Sequence, residues 1–232
     1  HLLSQSYKVL GVSRSTEVEG VFNPYNPQST PNNWTFSQID ARNAVELRHT
    51  LQEFSPDFVV NFAAQSMVGQ SWVSPEDWYE TNVVGVAKLA TTLMELPNLQ
   101  RYVHVTTPEV YGSTDGWLKE SFDFMPSTPY AVSRAAGDWH LKCIFEEFGL
   151  PVVFTRAANV YGPGQQLYRI VPRAILSALL GRKLPLDGGG LSIRSFIHIN
   201  DVARATQMIA ENGTNGETYH ISTDHLVAIR GL

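Results

Sequence analysis

Apolar runs of strand length alternate with helix-length patterns along most of this chain, and crossover units on a parallel sheet satisfy such an alternation. Residues 8–13, 57–62, 101–106, 151–158 and 194–198 read as strands, with a weaker candidate at 217–221. Helical stretches fall between them. Residues 43–54 place Val45, Leu47 and Leu51 at helical spacing, and Pro56 follows as a stop. Ser74-Pro75-Glu76-Asp77 combines a capping hydroxyl, a proline at the first helical position and an acid three residues after the cap. A helix is therefore predicted from there to about Leu96, ahead of Pro97. Pro129 opens another, carried by Trp139, Ile144, Phe145 and Phe148 to a stop at Gly149. Asn200-Asp201 caps the last, which reaches about Glu211. The polar stretch 23–33, with Pro24, Pro27 and Pro31, reads as a loop. The expected class is α/β.

At 232 residues and 43% hydrophobic content the chain can bury a core as one domain, or one domain with a small lobe. Seventeen basic against 22 acidic residues, a net charge of -5 without like-charge blocks, advertise no basic surface for nucleic acid. No apolar run approaches the roughly 18 residues of a membrane span, and the start lacks the pattern of a signal peptide, so a cytoplasmic place is expected. The single Cys143 excludes an internal disulfide and a Cys-rich metal site, no metal is expected, and Cys143 itself reads as core.

Two stretches carry the chemistry. Val105-Thr106-Thr107-Pro108-Glu109-Val110-Tyr111-Gly112 ends a strand with hydroxyls and a carboxylate, and Tyr130-Ala131-Val132-Ser133-Arg134 sets a tyrosine one helical turn before a cation. Positions i and i+4 share a helix face, so Tyr130 and Arg134 can point into one cleft. Free tyrosine ionises near pH ~10, so a phenol that acts as a base at neutral pH needs a cation beside it.

Taken in order with Asn61-Phe62-Ala63-Ala64-Gln65-Ser66, Thr81-Asn82-Val83-Val84-Gly85, Asn159-Val160-Tyr161-Gly162-Pro163 and Arg194-Ser195-Phe196-Ile197-His198, these stretches make the chain resemble the extended short-chain dehydrogenase/reductase family. Within it, the resemblance is to the nucleotide-sugar dehydratases and epimerases. It implies a Rossmann-type doubly wound parallel sheet with a smaller, partly missing substrate-binding lobe. Residues 1–158 and 194–216 would form the dinucleotide unit, and 159–193 and 217–232 part of the lobe, which in the family continues beyond Leu232. Tyr130 would be the base and later acid for the sugar's 4-hydroxyl, and Thr107 the hydroxyl that bonds the 4-oxygen. Glu109 would be the dehydratase carboxylate that removes the proton beside the new ketone. Two positions depart from the pattern. The family's cation is a lysine, here Arg134, whose planar fork differs from a compact ammonium. The aspartate that precedes the glutamate in glucose-type dehydratases is here Pro108. The GDP-mannose dehydratases, which this pattern resembles more closely, also lack that aspartate and let the glutamate act as base and then acid.

The family lays a nicotinamide dinucleotide over the carboxyl ends of its strands, with a glycine-rich turn just upstream of the segment resembling 1–11, so the sequence is expected to begin after that turn. Gly11-Val12-Ser13-Arg14-Ser15 offers Arg14 and no acid, which suits the 2'-phosphate of NADP, with NAD the alternative. Asp40 matches an adenine-contacting aspartate and equally suits a turn before the next helix. Ala63 and Ala64 would let the cofactor approach the backbone, or serve packing, and Asn82 would brace the active-site helix. Ser66, Asn159 and Arg194 match substrate-facing positions, Arg194 offering charge-assisted bonds to a diphosphate. The implied activity is 4,6-dehydration of a nucleotide-diphosphate sugar, with 4-epimerase or decarboxylase as the alternative on the same fold and a silent cofactor-binding regulator as the third. Helices 75–96 and 130–148 are apolar on more than one side, which suits burial within one subunit or a homodimer.

Overall fold

The structure, a computed structural model, describes residues 1–2, 6–17, 32–114 and 116–232. Of the expected loop at 23–33, positions 23–31 lie outside the described residues. Two parallel strands come first, β1 (Val9–Ser13) and β2 (Trp34–Gln38), with Gly11 opposite Phe36. The indole of Trp34 crosses β1 so closely that a Cβ at Gly11 would lie 2.3 Å from it, which reserves that place for glycine. Helix α1 (Ala44–Phe54) follows, its N-terminus held by Asn43, whose side chain accepts from the Glu46 N–H.

The apolar runs at Val59, Val103 and Val153 become a parallel sheet ordered β3-β4-β5-β8, made of β3 (Phe58–Asn61), β4 (Arg101–Thr106), β5 (Val152–Ala157) and β8 (Thr218–Ile221). Helices cover both faces. Leu47 and Leu51 of α1 pack on one face with Val86, Leu89 and Leu93 of α3 (Gly85–Met94) and Leu141 of α4 (Pro129–Phe148), against Tyr102 and Phe154 of the sheet. Ile209 and Ala210 of α6 (Ile199–Asn212) close the other face over Val103 and Val153. Each fully buried leucine or valine there contributes about 1.5–3 kcal/mol. A smaller sheet pairs β6 (Asn159–Tyr161) parallel and β9 (Leu226–Ala228) antiparallel to β7 (Ile193–His198), with α5 (Ile170–Leu179) between β6 and β7 in the chain. The expected α/β class with a doubly wound parallel sheet is what forms.

Several expectations are corrected by the packing. The helix expected over 75–96 is divided into α2 (Pro75–Tyr79), a wide π turn (Glu80–Val84) and α3, and it ends at Met94. Ser74 makes no side-chain capping bond, so the reciprocal cap does not form, although Pro75 does stand at the first turn. The last helix starts one residue before Asn200, and its cap is the His198 ring, which accepts from the Asn200 N–H. Cys143 is exposed on α4 rather than core. Hydrogen bonding puts β7 in the small sheet and β8 beside β5. Apolar spacing marks a strand without naming its partner.

Candidate active site

The site grows from the carboxyl end of β4. Thr107 is extended (φ -146°, ψ 144°) and caps a single 3-10 turn, Pro108–Tyr111, its Oγ1 accepting from the Glu109 N–H at 3.2 Å. Pro108 fits the first position of such a turn because no N–H is needed there. Val110 and Tyr111 are buried by the turn while Glu109 is exposed on its outer side. Gly112 closes it at φ 72°, and a Cβ there would stand 2.1 Å from the Met125 carbonyl oxygen, so the segment at Met125 is seated directly on the turn.

Helix α4 meets this strand end with its first turns. The Thr128 side chain caps it by accepting from Ala131 N–H. Tyr130 is 9% exposed, and its N–H, which has no partner within the helix, donates to Ser71 Oγ at 3.1 Å. One turn on, Arg134 is 3% exposed and its guanidinium donates to the Val105 carbonyl of β4, while its Nε has no hydrogen-bond partner among the described residues. The two sequence stretches that carry Thr107, Glu109, Tyr130 and Arg134 are thus joined by a direct bond.

Asn82, 1% exposed in the π turn, holds the opposite side together. Its Oδ1 accepts from Gln65 N–H and its Nδ2 donates to Gln65 O and to Ser133 Oγ, all at 2.9 Å. Ser133 in turn donates to the Tyr130 carbonyl at 2.7 Å. The wide turn lets the Asn82 backbone approach α4 so closely that a Cβ at Gly137 would lie 2.6 Å from the Asn82 oxygen. The loop after β3 is pinned at both ends, by Asn82 and by Asn61 Oδ1, which accepts from Ala63 N–H at 3.0 Å. Along this loop Ala63 and Ser66 are exposed and Ala64 is half-buried. A flat molecule can lie against that backbone without displacing a side chain.

At the ends of β1 and β2, Arg14 is exposed and Asp40 is gripped by Arg42 through the backbone N–H at 2.9 Å and a guanidinium contact of 2.7 Å. The Arg42 bonds, with Arg14 adding its charge, hold the Asp40 carboxyl down to about 2. Asp40 therefore shapes the turn into α1, also through its carbonyl, which accepts from Asn43 N–H at 2.8 Å. Arg14, Asp40 and the Ala63–Ala64 backbone follow the carboxyl ends of the parallel strands β1, β2 and β3 respectively. Asn159 and Arg194 stand apart, exposed on the small sheet; Asn159 Nδ2 donates to Ser195 O at 3.1 Å and Arg194 Nη1 to Ile193 O at 2.9 Å.

Beneath the site lies a polar network that was not anticipated from the sequence. Asn61 Nδ2 donates to the Tyr102 hydroxyl at 3.2 Å, which bonds His104 Nδ1 at 2.9 Å; His104 Nε2 faces Asp138 Oδ1 at 3.5 Å, and Asp138 pairs with Arg156 at 3.1 Å. His104, Asp138 and Arg156 are at most 1% exposed. The signal available was a charged residue inside the apolar strand 152–157, together with an acid one turn after Arg134 on a buried helix face. Burial pushes Asp138 up from the usual carboxylate range while Arg156 and Arg134 oppose the rise. Burial, and then the charges of Arg134 and Arg156, push His104 well below the ordinary imidazole value. His104 is therefore neutral in the fold, and its Nδ1 accepts from Tyr102 when the proton sits on Nε2. Below about pH 6.5 the unfolded chain binds a proton at this residue that the folded chain refuses, so stability falls with acidification by about 1.4 kcal/mol per pH unit from this group. Urea unfolding between pH 6.5 and 5 should show a shallower fall in His104→Gln than in the unsubstituted chain; identical slopes would remove His104 as the cause.

A family model described as the NAD dependent epimerase/dehydratase family matches residues 1–222. The dTDP-glucose 4,6-dehydratase of Neisseria meningitidis serogroup B is 34% identical over 199 residues, 81% of this chain and 56% of that protein. A probable dTDP-glucose 4,6-dehydratase of Sinorhizobium fredii is 33% identical, over 95% of this chain and 66% of that one. The chain spans about half the length of the first of these curated relatives. Among solved structures, a dTDP-glucose 4,6-dehydratase from Streptomyces venezuelae with NAD bound superposes with a TM-score of 0.87 at 32% identity, covering 99% of this chain and 72% of that one. A UDP-glucuronic acid 4-epimerase from Bacillus cereus, in complex with UDP-glucuronic acid and NAD, gives 0.85 at 26% identity over 99% and 74% of the respective chains.

Proposed function

The chain belongs to the NAD dependent epimerase/dehydratase family, and from that premise we propose that it is a nucleotide-diphosphate-sugar 4,6-dehydratase that forms a 4-keto-6-deoxy sugar. The observation that carries the dehydratase reading is Glu109, an exposed carboxylate after β4 on the turn capped by Thr107, whose buried residues Val110 and Tyr111 pack on Ala135 of α4. Tyr130 takes the proton of the sugar's 4-hydroxyl, with Arg134 one turn further along the same helix face. Thr107 has its Oγ1 lone pair occupied by the Glu109 N–H, which leaves its own proton to donate to the sugar's 4-oxygen. Glu109 then removes the proton beside the new ketone, and, since Pro108 carries no acid, the same carboxyl protonates the departing 6-hydroxyl. A nicotinamide held there would supply the redox chemistry, a hydride taken up at the fourth carbon and given back at the sixth, and the proton taken by Tyr130 would pass to the fifth carbon to complete the product.

The residues proposed to hold the cofactor are Arg14, Asp40, Ala63, Ala64 and Asn82, with Tyr130 and Arg134 at the reacting end. Solved relatives with NAD bound support NAD. NADP rests on Arg14 alone, and a competition titration between the two separates them. Ser66, Asn159 and Arg194 are proposed to face the sugar nucleotide, whose diphosphate suits a guanidinium. A homodimer through helices 75–96 and 130–148 accounts for Val84, Met94, Val132 and Trp139, which are 39–48% exposed along those helices. No helix is long and apolar enough to cross a membrane, among the described residues.

The test is incubation of the full-length protein with NAD and a panel of dTDP-, UDP-, GDP- and CDP-sugars, followed by mass measurement. Loss of one water from one substrate is the expected result. An isomer of unchanged mass would replace the reading with 4-epimerase, which the likeness to the B. cereus enzyme favours as second, and loss of carbon dioxide with decarboxylase. Tight cofactor binding with no product from any sugar would favour a silent regulator, the reading to which the Arg134 bond to Val105 lends weight.

A further inference from the structure

Arg156 is fully buried in β5, yet its bonds lead to both halves of the site. One guanidinium nitrogen donates to the Tyr111 hydroxyl and to the Ser121 carbonyl, the latter at 2.9 Å. The other donates to Asp138 at 3.1 Å. The guanidinium carbon also lies 5.0 Å from the ring centre of Tyr111 and 4.9 Å from that of Phe124. Tyr111 is the last residue of the 3-10 turn that presents Glu109, and Asp138 is on α4, one turn past Arg134 and two past Tyr130. A buried ion pair is often no more stabilising than apolar side chains of the same volume, so stability alone gives no reason for an arginine in this strand.

We infer that Arg156, Tyr111 and Asp138 are positioning residues that hold the Glu109 turn in register with the Tyr130 helix. The inference rests on the dehydratase reading, since only a reaction that uses Tyr130 and Glu109 in succession on one sugar requires the two elements to be indexed to each other. Oxidation at the fourth carbon depends on α4; loss of the neighbouring proton depends on where the turn holds Glu109. Loosening the joint therefore acts on the second step far more than on the first.

Tyr111→Phe is the mildest probe, because the ring stays against Arg156, and Arg156 keeps Ser121 and Asp138. Only the hydroxyl is lost, with its bonds to Arg156, to His220 Nε2 at 2.9 Å, and to the Ser121 carbonyl and N–H at 3.4 and 3.3 Å. In the full-length protein, entry of solvent deuterium at the carbon beside the ketone should fall roughly tenfold to a hundredfold, while sugar oxidation, read from the near-ultraviolet absorbance of the nicotinamide, and KM stay within about twofold. Equal falls in both steps, or in neither, would overturn the inference. Arg156→Lys, whose single ammonium cannot serve the same three acceptors, should give the same split more strongly, and its absence in a folded variant counts equally against the joint.

A second readout needs neither cofactor nor sugar. Hydrogen exchange on the cofactor-free Tyr111→Phe chain should speed at the amides of Val110, Gly112 and Met125, which bond Thr107 O, Glu109 O and Val110 O respectively, with α4 unchanged. Unaltered protection there would sink the joint. If the unsubstituted enzyme oxidises no sugar nucleotide, the dehydratase reading fails, and the exchange rates then decide by themselves whether the joint exists.

Discussion

Tyr130→Phe should lower sugar oxidation by about a hundredfold to ten-thousandfold while leaving the fold nearly intact, the span expected when one positioned acid–base group is deleted. Tyr130 is attached to the rest of the site through its backbone: its N–H bonds Ser71 Oγ, and its carbonyl accepts from Ser133. A phenylalanine keeps both bonds and the ring volume, so the loss isolates the hydroxyl. Stopped-flow oxidation at saturating substrate, with a thermal melt as control, measures it. A rate within about threefold of the unsubstituted enzyme would mean that another group lifts the 4-hydroxyl proton.

Glu109→Gln is the complementary substitution, with an expected loss of water elimination of about a hundredfold or more and oxidation largely spared. Glutamine retains size and the backbone N–H to Thr107 Oγ1. It lacks the basic lone pair needed to take the carbon-bound proton and the acidic proton needed by the departing hydroxyl. Since Pro108 supplies no acid, no neighbour in the turn can stand in. Mass analysis after a long incubation should then find no species that has lost water, although the nicotinamide absorbance rises when sugar is added. Undiminished water loss would assign the elimination to a different residue and remove the main reason for reading a dehydratase over an epimerase.

What the sequence revealed followed physical contrast. β3, β4 and β5 stood out because strands buried on both faces are near-continuous apolar runs, and α4 because proline and glycine bracket it. Trp34–Gln38 escaped because its apolar residues alternate with polar ones over five positions, too few to declare a period. The three-residue strands β6 and β9 exist only through their pairing with β7. The π turn left no trace at all, since its cause is the tertiary grip of Asn82 on Gln65 and Ser133. In the site, Thr107, Glu109, Tyr130 and Arg134 were visible as motifs. Asp138 and Arg156 are eighteen positions apart, and their partnership is invisible until α4 folds over β5.

The wide turn at Glu80–Val84 also sets the clocking of everything after it. In a helix each residue advances the azimuth by about 100°, so losing or gaining one residue in this turn would swivel α3 by that angle. Leu89 and Leu93 would rotate from the interior toward water, and Asn82 would lose its aim. Helices usually absorb length changes at their frayed ends. Here the residue count between Trp78 and Val86 is as fixed as a gear tooth, and a family member that differs in it must have re-cut the whole layer.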